Sequence, residues 1–206
     1  MSDRNARLSS EQVRELCSQV VHGVPVDLDP EDYRHWMERG DELNATVARA
    51  LRRPLLQLVR TVEIPAIGPF SARECIKITP TAERETAEVV YGFLGDDLKG
   101  LIEDKLEEPA LAGTTLRVHR LCKPSVDGPI IAELGGESVA ETTFGQMDQF
   151  LKLQGRPDKA VWYIFYIKVN GVLWAVRCYW TSPWNVEASP VAFPRRWCEG
   201  RQIVSC

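Results

Sequence analysis

The feature that most constrains the fold is the pair Asn170-Gly171, which lies between two runs rich in β-branched and aromatic residues. The tightest hairpin turn needs positive φ at both central residues, and Asn followed by Gly meets that need at little cost. The pair therefore predicts a β-hairpin over residues 161–180 in which Val169 lies opposite Val172. Because side chains alternate along a strand, this turn also predicts which residues share a face.

The predicted register gives the hairpin two faces of different chemistry. One face is apolar throughout and consists of Val161, Tyr163, Phe165, Ile167, Val169, Val172, Trp174, Val176, Cys178 and Trp180. Burial of each large side chain contributes about 1.5 to 3 kcal/mol, so we predict that this face is core. The opposite face, called the outer face below, pairs Trp162 with Tyr179, Ile164 with Arg177, Tyr166 with Ala175, and Lys168 with Leu173.

The outer face has two interpretations. Flat rings beside cationic side chains can stack nucleic-acid bases or hold an acidic partner. The same composition also suits a second packing layer, because long basic side chains can lie over apolar neighbours with their charged ends in water. Under the first interpretation the candidate binding residues are Trp162, Tyr166, Arg177, Tyr179, Arg195 and Arg196.

The charge distribution favours the same region. Residues 158–206 contain six Lys or Arg and three Asp or Glu, a balance of +3, which leaves −7 on the rest of a chain whose net charge is −4. We therefore predict a non-enzymatic interaction module. Its partner is another protein or, more specifically, single-stranded nucleic acid, whose phosphates attract such a basic region.

Before residue 55 the pattern is helical. Ser9-x-x-Gln12 has the form of a capping box and precedes apolar residues at helical spacing. Asp29-Pro30 predicts the start of a second helix, with a break or kink at Gly40-Asp41. Pro54 cannot continue that helix. We predict that residues 1–54 form a separate helical unit.

From residue 55 onward, strand-like runs outnumber helical ones. The predicted strands are 55–64, 70–78, 88–94 and 116–122, then the hairpin and two more short strands. The predicted helices are 96–106 and, from a capping box at Ser138-x-x-Glu141, 138–153, whereas 124–129 is predicted to be a loop. This pattern favours an α+β fold for residues 55–206, with a mostly antiparallel sheet and two covering helices.

The cysteines and histidines do not form a recognisable metal motif. Cys17, Cys75, Cys122, Cys178, Cys198 and Cys206 include no C-x-x-C pair, and we predict reduced, mostly buried thiols. His119 and Cys122 lie three apart in a predicted strand and so point to opposite faces. The sequence therefore predicts neither a metal site nor a cofactor. The polar start and the lack of a long apolar run predict a cytoplasmic protein without a membrane partner.

Two alternative functions stay open. An enzyme of hydrolase type would need a site assembled from distant residues, of which the best candidates are His119, Asp96, Asp97 and Cys122. A structural or assembly protein would instead use the N-terminal helices as its contact surface. The absence of a local catalytic motif makes us favour the interaction module over the enzyme.

Several motifs in the second part of the chain occur together. They are Leu94–Lys99, Thr115–Leu121, Val126–Leu134, Glu141–Thr143 and Trp184–Gly200. As a set they resemble a family of small uncharacterised proteins from candidate-phylum bacteria with reduced genomes. The resemblance covers about residues 58–206 and does not extend to residues 1–54. It implies a bacterial origin but no mechanism, because the family has no assigned activity, substrate or cofactor.

Overall fold

The computed structural model describes residues 9–22, 29–51, 54–103, 107–157, 159–193 and 195–206. By the density of its internal contacts the chain divides into two compact units, Met1–Arg52 and Arg53–Cys206. None of the helices in the described part of the chain combines the length and the apolar character needed to cross a membrane.

The N-terminal unit is helical. Its helices are α1 (Ser10–His22), α2 (Pro30–Glu38) and α3 (Gly40–Leu51). The predicted capping box is confirmed: the backbone N–H of Gln12 donates to Ser9 Oγ over 3.2 Å, and that of Ser9 donates to Gln12 Oε1 over 2.9 Å. Asp29 caps α2 by accepting from the backbone N–H of Glu31 over 2.7 Å. The predicted break is also present, since α3 begins at Gly40.

The C-terminal unit has the following elements in chain order. The strands are β1 (Leu56–Ile64), β2 (Phe70–Ser71), β3 (Tyr91–Leu94), β4 (Glu107–Glu108), β5 (Thr114–Leu121), β6 (Glu141–Thr142), β7 (Trp162–Val169), β8 (Val172–Trp180), β9 (Trp184–Pro190) and β10 (Gln202–Ser205). The α-helices are α4 (Ala72–Cys75), α5 (Asp96–Glu103), α6 (Asp127–Leu134), α7 (Glu137–Ala140) and α8 (Phe144–Gln154), and Thr81–Glu83 is a short 3-10 helix.

The main sheet has the strand order β1-β5-β10-β7-β8-β9-β3, with β6 paired to β7. Neighbours β1 and β5, β5 and β10, β7 and β8, and β8 and β9 are antiparallel. Three further pairs, β10 with β7, β3 with β9 and β6 with β7, are parallel. The unit is therefore α+β, with a large sheet that is mixed and mainly antiparallel.

The hairpin prediction is confirmed in its turn and its register. Asn170 and Gly171 have φ of 50° and 79°, and Val169 pairs with Val172. The register continues without a shift to the pair Trp162 and Tyr179 at the far end. The turn thus places the two faces of the hairpin as the sequence predicts.

Hydrophobic clusters cover both faces of the sheet. The larger cluster joins the apolar face of the hairpin to α5 and α8, and its fully buried members include Phe144, Met147, Phe150, Phe165 and Trp184. The smaller cluster lies on the outer face and joins strands β5, β7, β8 and β10 to α6. The outer face is therefore covered in part.

Helix α6 lies where the sequence predicts a loop at 124–129, and that prediction is wrong. Gly128 and Pro129 look like turn residues, but both lie in the first turn of α6. Proline is tolerated there because the first backbone N–H groups of a helix have no partner within the helix. The helix ends at Leu134, where Gly135 adopts a left-handed φ of 109°.

Two other predicted elements differ from the structure. The strand at 70–78 ends after Ser71, and the chain then turns into α4. Helix α8 begins at Phe144 and is capped by Thr143, which exchanges hydrogen bonds of 3.1 and 2.9 Å with Gln146. Ser138-x-x-Glu141 matches the same sequence pattern, but the chain from Glu141 is extended and pairs with β7.

The cysteines are less buried than predicted. All six are free thiols, but only Cys122 and Cys178 are buried, whereas Cys17, Cys75 and Cys198 are exposed and Cys206 is half-buried. The prediction of mostly buried thiols fails because several of these residues lie outside the strands. Burial raises the pKa of the Cys178 thiol to well above its ordinary value of 9.0.

Candidate functional site

The outer face of the hairpin is divided into a covered half and an uncovered half. In the covered half, Ile164, Tyr166, Leu173 and Ala175 are at most 7% exposed and pack in one cluster with residues of α6 and Trp197. Tyr166 is 0% exposed. Its prediction as a binding residue is wrong, because its ring packs inside this cluster and its hydroxyl is already bonded to Asp127.

Two hydrogen bonds to one carboxylate tie the covered half together. Asp127, at the start of α6, is 2% exposed, and its Oδ1 accepts from the Tyr166 hydroxyl over 2.9 Å and from Trp197 Nε1 over 2.6 Å. Burial raises the pKa of Asp127, although both hydrogen bonds act in the opposite direction. Asp127 therefore connects the hairpin, α6 and the segment before β10.

The uncovered half begins with a stack of three side chains. The rings of Trp162 and Tyr179 are parallel to within 13°, with centroids 4.5 Å apart. The guanidinium carbon of Arg201 lies 3.6 Å from the centroid of the Trp162 ring. Strands β10 and β8 flank β7 on opposite sides, so Arg201 and Tyr179 cover opposite faces of Trp162. We call Arg201, Trp162 and Tyr179 the aromatic-cation column.

A carboxylate lies among the cations beside this column. Arg177 lies 5.3 Å from the centroids of both Trp162 and Tyr179, and it forms an ion pair with Glu187. Glu187 also accepts from the Tyr179 hydroxyl over 3.1 Å and lies 4.0 Å from Arg195. Because two guanidinium groups share the Glu187 carboxylate, their positive charge is only partly neutralised by it.

The environment of the Arg201 guanidinium is unfavourable to its charge. Burial lowers the pKa of Arg201, and the charge of Arg177 lowers it further. The guanidinium remains protonated at neutral pH because the ordinary pKa of arginine lies far above 7. An anion bound here would compensate both the lost hydration and the repulsion between the two guanidinium groups. The column is therefore an electrostatically favourable place for a phosphate or a carboxylate.

The column continues across the sheet to an exposed ring. Tyr179 pairs with Asn185 on β9, and Asn185 pairs with Phe93 on β3. A register irregularity between Tyr91 and Phe93 lets Phe93 reach the outer face, where it is 44% exposed. At about 4.8 Å per strand, the row from Arg201 to Phe93 spans about 19 Å.

The structure brings together most, but not all, of the predicted binding residues. Trp162, Arg177 and Tyr179 are in mutual contact, and Arg195 joins them through Glu187 while its guanidinium lies 5.8 Å from the Trp197 ring. Arg196 is exposed in the same segment. Sequence reasoning missed Arg201, Asn185 and Phe93. These three enter the row only through the pairings of β10 and β3, which no local pattern indicates.

The candidate residues of the alternative enzyme are separate from this surface. The Asp96 side chain is 98% exposed and pairs with Lys99 over 3.0 Å, and Asp97 is exposed beside it. Cys122 is buried, and its thiol donates to the carbonyl of Arg120 over 3.5 Å. In the part of the chain that the structure describes, no group of three or more His, Cys, Asp or Glu side chains is arranged to hold a metal ion.

Comparisons with protein-family models, with curated proteins and with solved structures found no match for this chain. The family resemblance of residues 58–206 therefore remains a prediction. Function has to be argued from the geometry of the outer face.

Proposed function

We propose that the C-terminal unit is a non-enzymatic interaction module that binds single-stranded nucleic acid across the uncovered half of the outer face. The observation that carries the proposal is the aromatic-cation column, in which Arg201 lies 3.6 Å from the Trp162 centroid and Trp162 stacks on Tyr179. Flat side chains can stack on any base, and cations attract the phosphates. Together they bind single-stranded nucleic acid without regard to its sequence.

The contacts differ from those of a simple ring platform. Both faces of Trp162 are covered, so Trp162 orients Arg201 and does not itself stack a base. The guanidinium of Arg201 has a second planar face that can stack a base, and its N–H groups can donate to a phosphate. Phe93, at the other end of the row, offers an exposed ring to a second base.

A protein partner with an acidic segment would meet the same guanidinium groups. Such a segment would gain from the charges but not from the flat groups of Arg201 and Phe93. Nucleic acid uses both, so we favour it. Competition between an oligonucleotide and polyglutamate, both of which carry negative charge, separates the two partners because only the oligonucleotide can stack.

The test measures fluorescence anisotropy of a labelled oligothymidylate with the full-length protein across a salt series. Affinity should fall steeply with salt, because each phosphate contact releases counterions. Arg201→Gln should weaken binding about tenfold, the equivalent of 1.4 kcal/mol. Arg120→Gln is the matched control. Arg120 is exposed on the side of the sheet opposite the outer face, where it donates to Gln57.

Three results would contradict the proposal. The first is no binding of the oligonucleotide at low salt. The second is an equal loss of affinity for Arg201→Gln and Arg120→Gln, which would mean that binding follows net charge and not the column. The third is stronger displacement by polyglutamate than by unlabelled oligonucleotide, which would identify an acidic protein segment as the partner.

A further inference from the structure

A cleft lies on the same side of the sheet as the covered half, between β1, β5, β10 and the C-terminal end of α6. Its volume is about 320 Å³. The apolar part of its lining is Leu56, Leu58 and Leu134, and the polar part is Arg117, His119, Glu133 and Ser205. None of these residues belongs to the row from Arg201 to Phe93.

Two polar atoms of this lining are buried and unpaired. Ser205 is 0% exposed, and its Oγ has no hydrogen-bond partner among the described residues. His119 Nδ1 is likewise buried without a partner in the described part of the chain. Buried polar atoms in folded proteins are nearly always hydrogen-bonded. Two exceptions in the lining of one cleft are consistent with a site that receives a polar ligand.

Opposite charges lie at the two sides of the cleft. Arg117 and His119 are two apart on β5, and Ser205 pairs with Arg117 across the sheet. Glu133 approaches from α6, where its Oε1 accepts from the backbone N–H of Leu56 over 2.8 Å. Burial lowers the pKa of His119, the charge of Arg117 lowers it further, and Glu133 opposes both. His119 is therefore neutral at physiological pH and can accept a hydrogen bond at Nδ1.

We infer that this cleft binds a free α-amino acid with an apolar side chain. The ligand carboxylate is paired with Arg117 and accepts from the Ser205 hydroxyl. The ammonium group is paired with Glu133 and donates to His119 Nδ1. The ligand side chain packs against Leu56, Leu58 and Leu134. A cation and a carboxylate in one small cleft favour a zwitterion over a ligand with a single charge, because each charge of a zwitterion has a partner.

The test is isothermal titration calorimetry of the full-length protein with L-leucine, L-valine and L-methionine. Two analogues of leucine serve as controls: 4-methylpentanoate lacks the ammonium group, and 3-methylbutylamine lacks the carboxylate. We expect at least one amino acid to bind, and both analogues to bind about tenfold more weakly than leucine. No heat of binding from any of the three amino acids, or equal affinity for leucine and either analogue, would overturn the inference.

Variants separate the two charge contacts. Glu133→Gln keeps an oxygen that accepts from Leu56 and removes the charge, so leucine should bind more weakly while 4-methylpentanoate binds at least as well as before. Arg117→Gln should weaken leucine about tenfold, and Arg120→Gln on the opposite face of β5 should leave it unchanged. Equal effects of Arg117→Gln and Arg120→Gln would contradict the site. Circular dichroism of each variant shows whether the fold is kept, and Ser205→Ala gives a second measure of the carboxylate contact.

Discussion

The two halves of the outer hairpin face share one strand register but have different environments. In the covered half, α6 and Trp197 bury Tyr166, whereas in the uncovered half Trp162 and Tyr179 are only partly buried. The residue types of the two halves are similar, and both contain aromatic rings. The difference comes from α6, which lies over one half only. Strand alternation therefore identifies residues that share a face, but a separate element decides which of them remain accessible.

The largest expected effect is in the covered half. Tyr166→Ala removes a fully buried ring and leaves a cavity, so we expect the free energy of unfolding to fall by about 3 to 5 kcal/mol. Urea denaturation followed by circular dichroism measures this loss. Lys168→Ala, at an accessible position on the same strand, is the control and should change stability little. A stable Tyr166→Ala variant that had lost oligonucleotide binding would show that the two halves are not distinct.

A smaller loss of stability is expected when the Asp127 carboxylate, which anchors α6, is replaced. Asp127→Asn keeps one accepting oxygen, and we expect a loss of about 1 to 3 kcal/mol at low pH from the disturbed hydrogen bonds of Tyr166 and Trp197. The pH dependence has a definite sign. Burial raises the pKa of Asp127 above 3.8, so the folded state holds this proton more tightly, and stability falls as pH rises from 3.8 through the raised pKa.

The Asp127→Asn variant has no titratable group at position 127, so its stability should not show this decrease with rising pH. The stability advantage of the natural protein over Asp127→Asn should therefore shrink as pH rises through that window. Urea denaturation at a series of pH values measures the difference. An advantage that instead grows with pH would mean that the pKa of Asp127 is lowered in the folded state and that its hydrogen bonds outweigh its burial.

In the uncovered half we expect binding to change more than stability. Phe93→Ala removes an exposed ring from the end of the row, and loss of one stacked base should weaken oligothymidylate binding about tenfold. Phe193→Ala is the matched control, because Phe193 is 72% exposed outside the row. Anisotropy titration gives the affinities. If the two variants lose affinity equally, then Phe93 does not stack a base and only the arginines contact the nucleic acid.

The sequence predicts the local part of this architecture well. The Asn170-Gly171 turn determines the register of β7 and β8 because the contacts it specifies are close in the chain. The capping box at Ser9 and the N-cap at Asp29 are likewise local patterns. Each of these predictions depends on hydrogen bonds between neighbouring residues, which the identities of a few side chains decide.

The rest depends on contacts between distant residues. Helix α6 was missed because Gly128 and Pro129 favour a turn when the packing of Ile130 on the hairpin is not known. Arg201 meets Trp162 only because β10 lies parallel to β7, a pairing between segments about 40 residues apart that no periodicity reports. The candidate site was therefore predicted at Trp162 and Tyr179 and missed at Phe93 and at Arg201, its most closely stacked cation.

The smallest expected effect tests the charge balance of the uncovered half. Glu187 neutralises part of the positive charge of Arg177 and Arg195 and would repel a phosphate. Glu187→Gln keeps a hydrogen-bond acceptor for the Tyr179 hydroxyl and removes the charge. We expect oligonucleotide affinity to rise a few-fold, and its dependence on salt to become steeper, because the two guanidinium groups are then free to contact phosphates. Glu103→Gln changes net charge by the same amount at an exposed position of α5, on the opposite side of the sheet, and is the control. If Glu187→Gln weakens binding, then Glu187 holds Arg177 in its binding position, and the ion pair is part of the surface and not a competitor of the ligand.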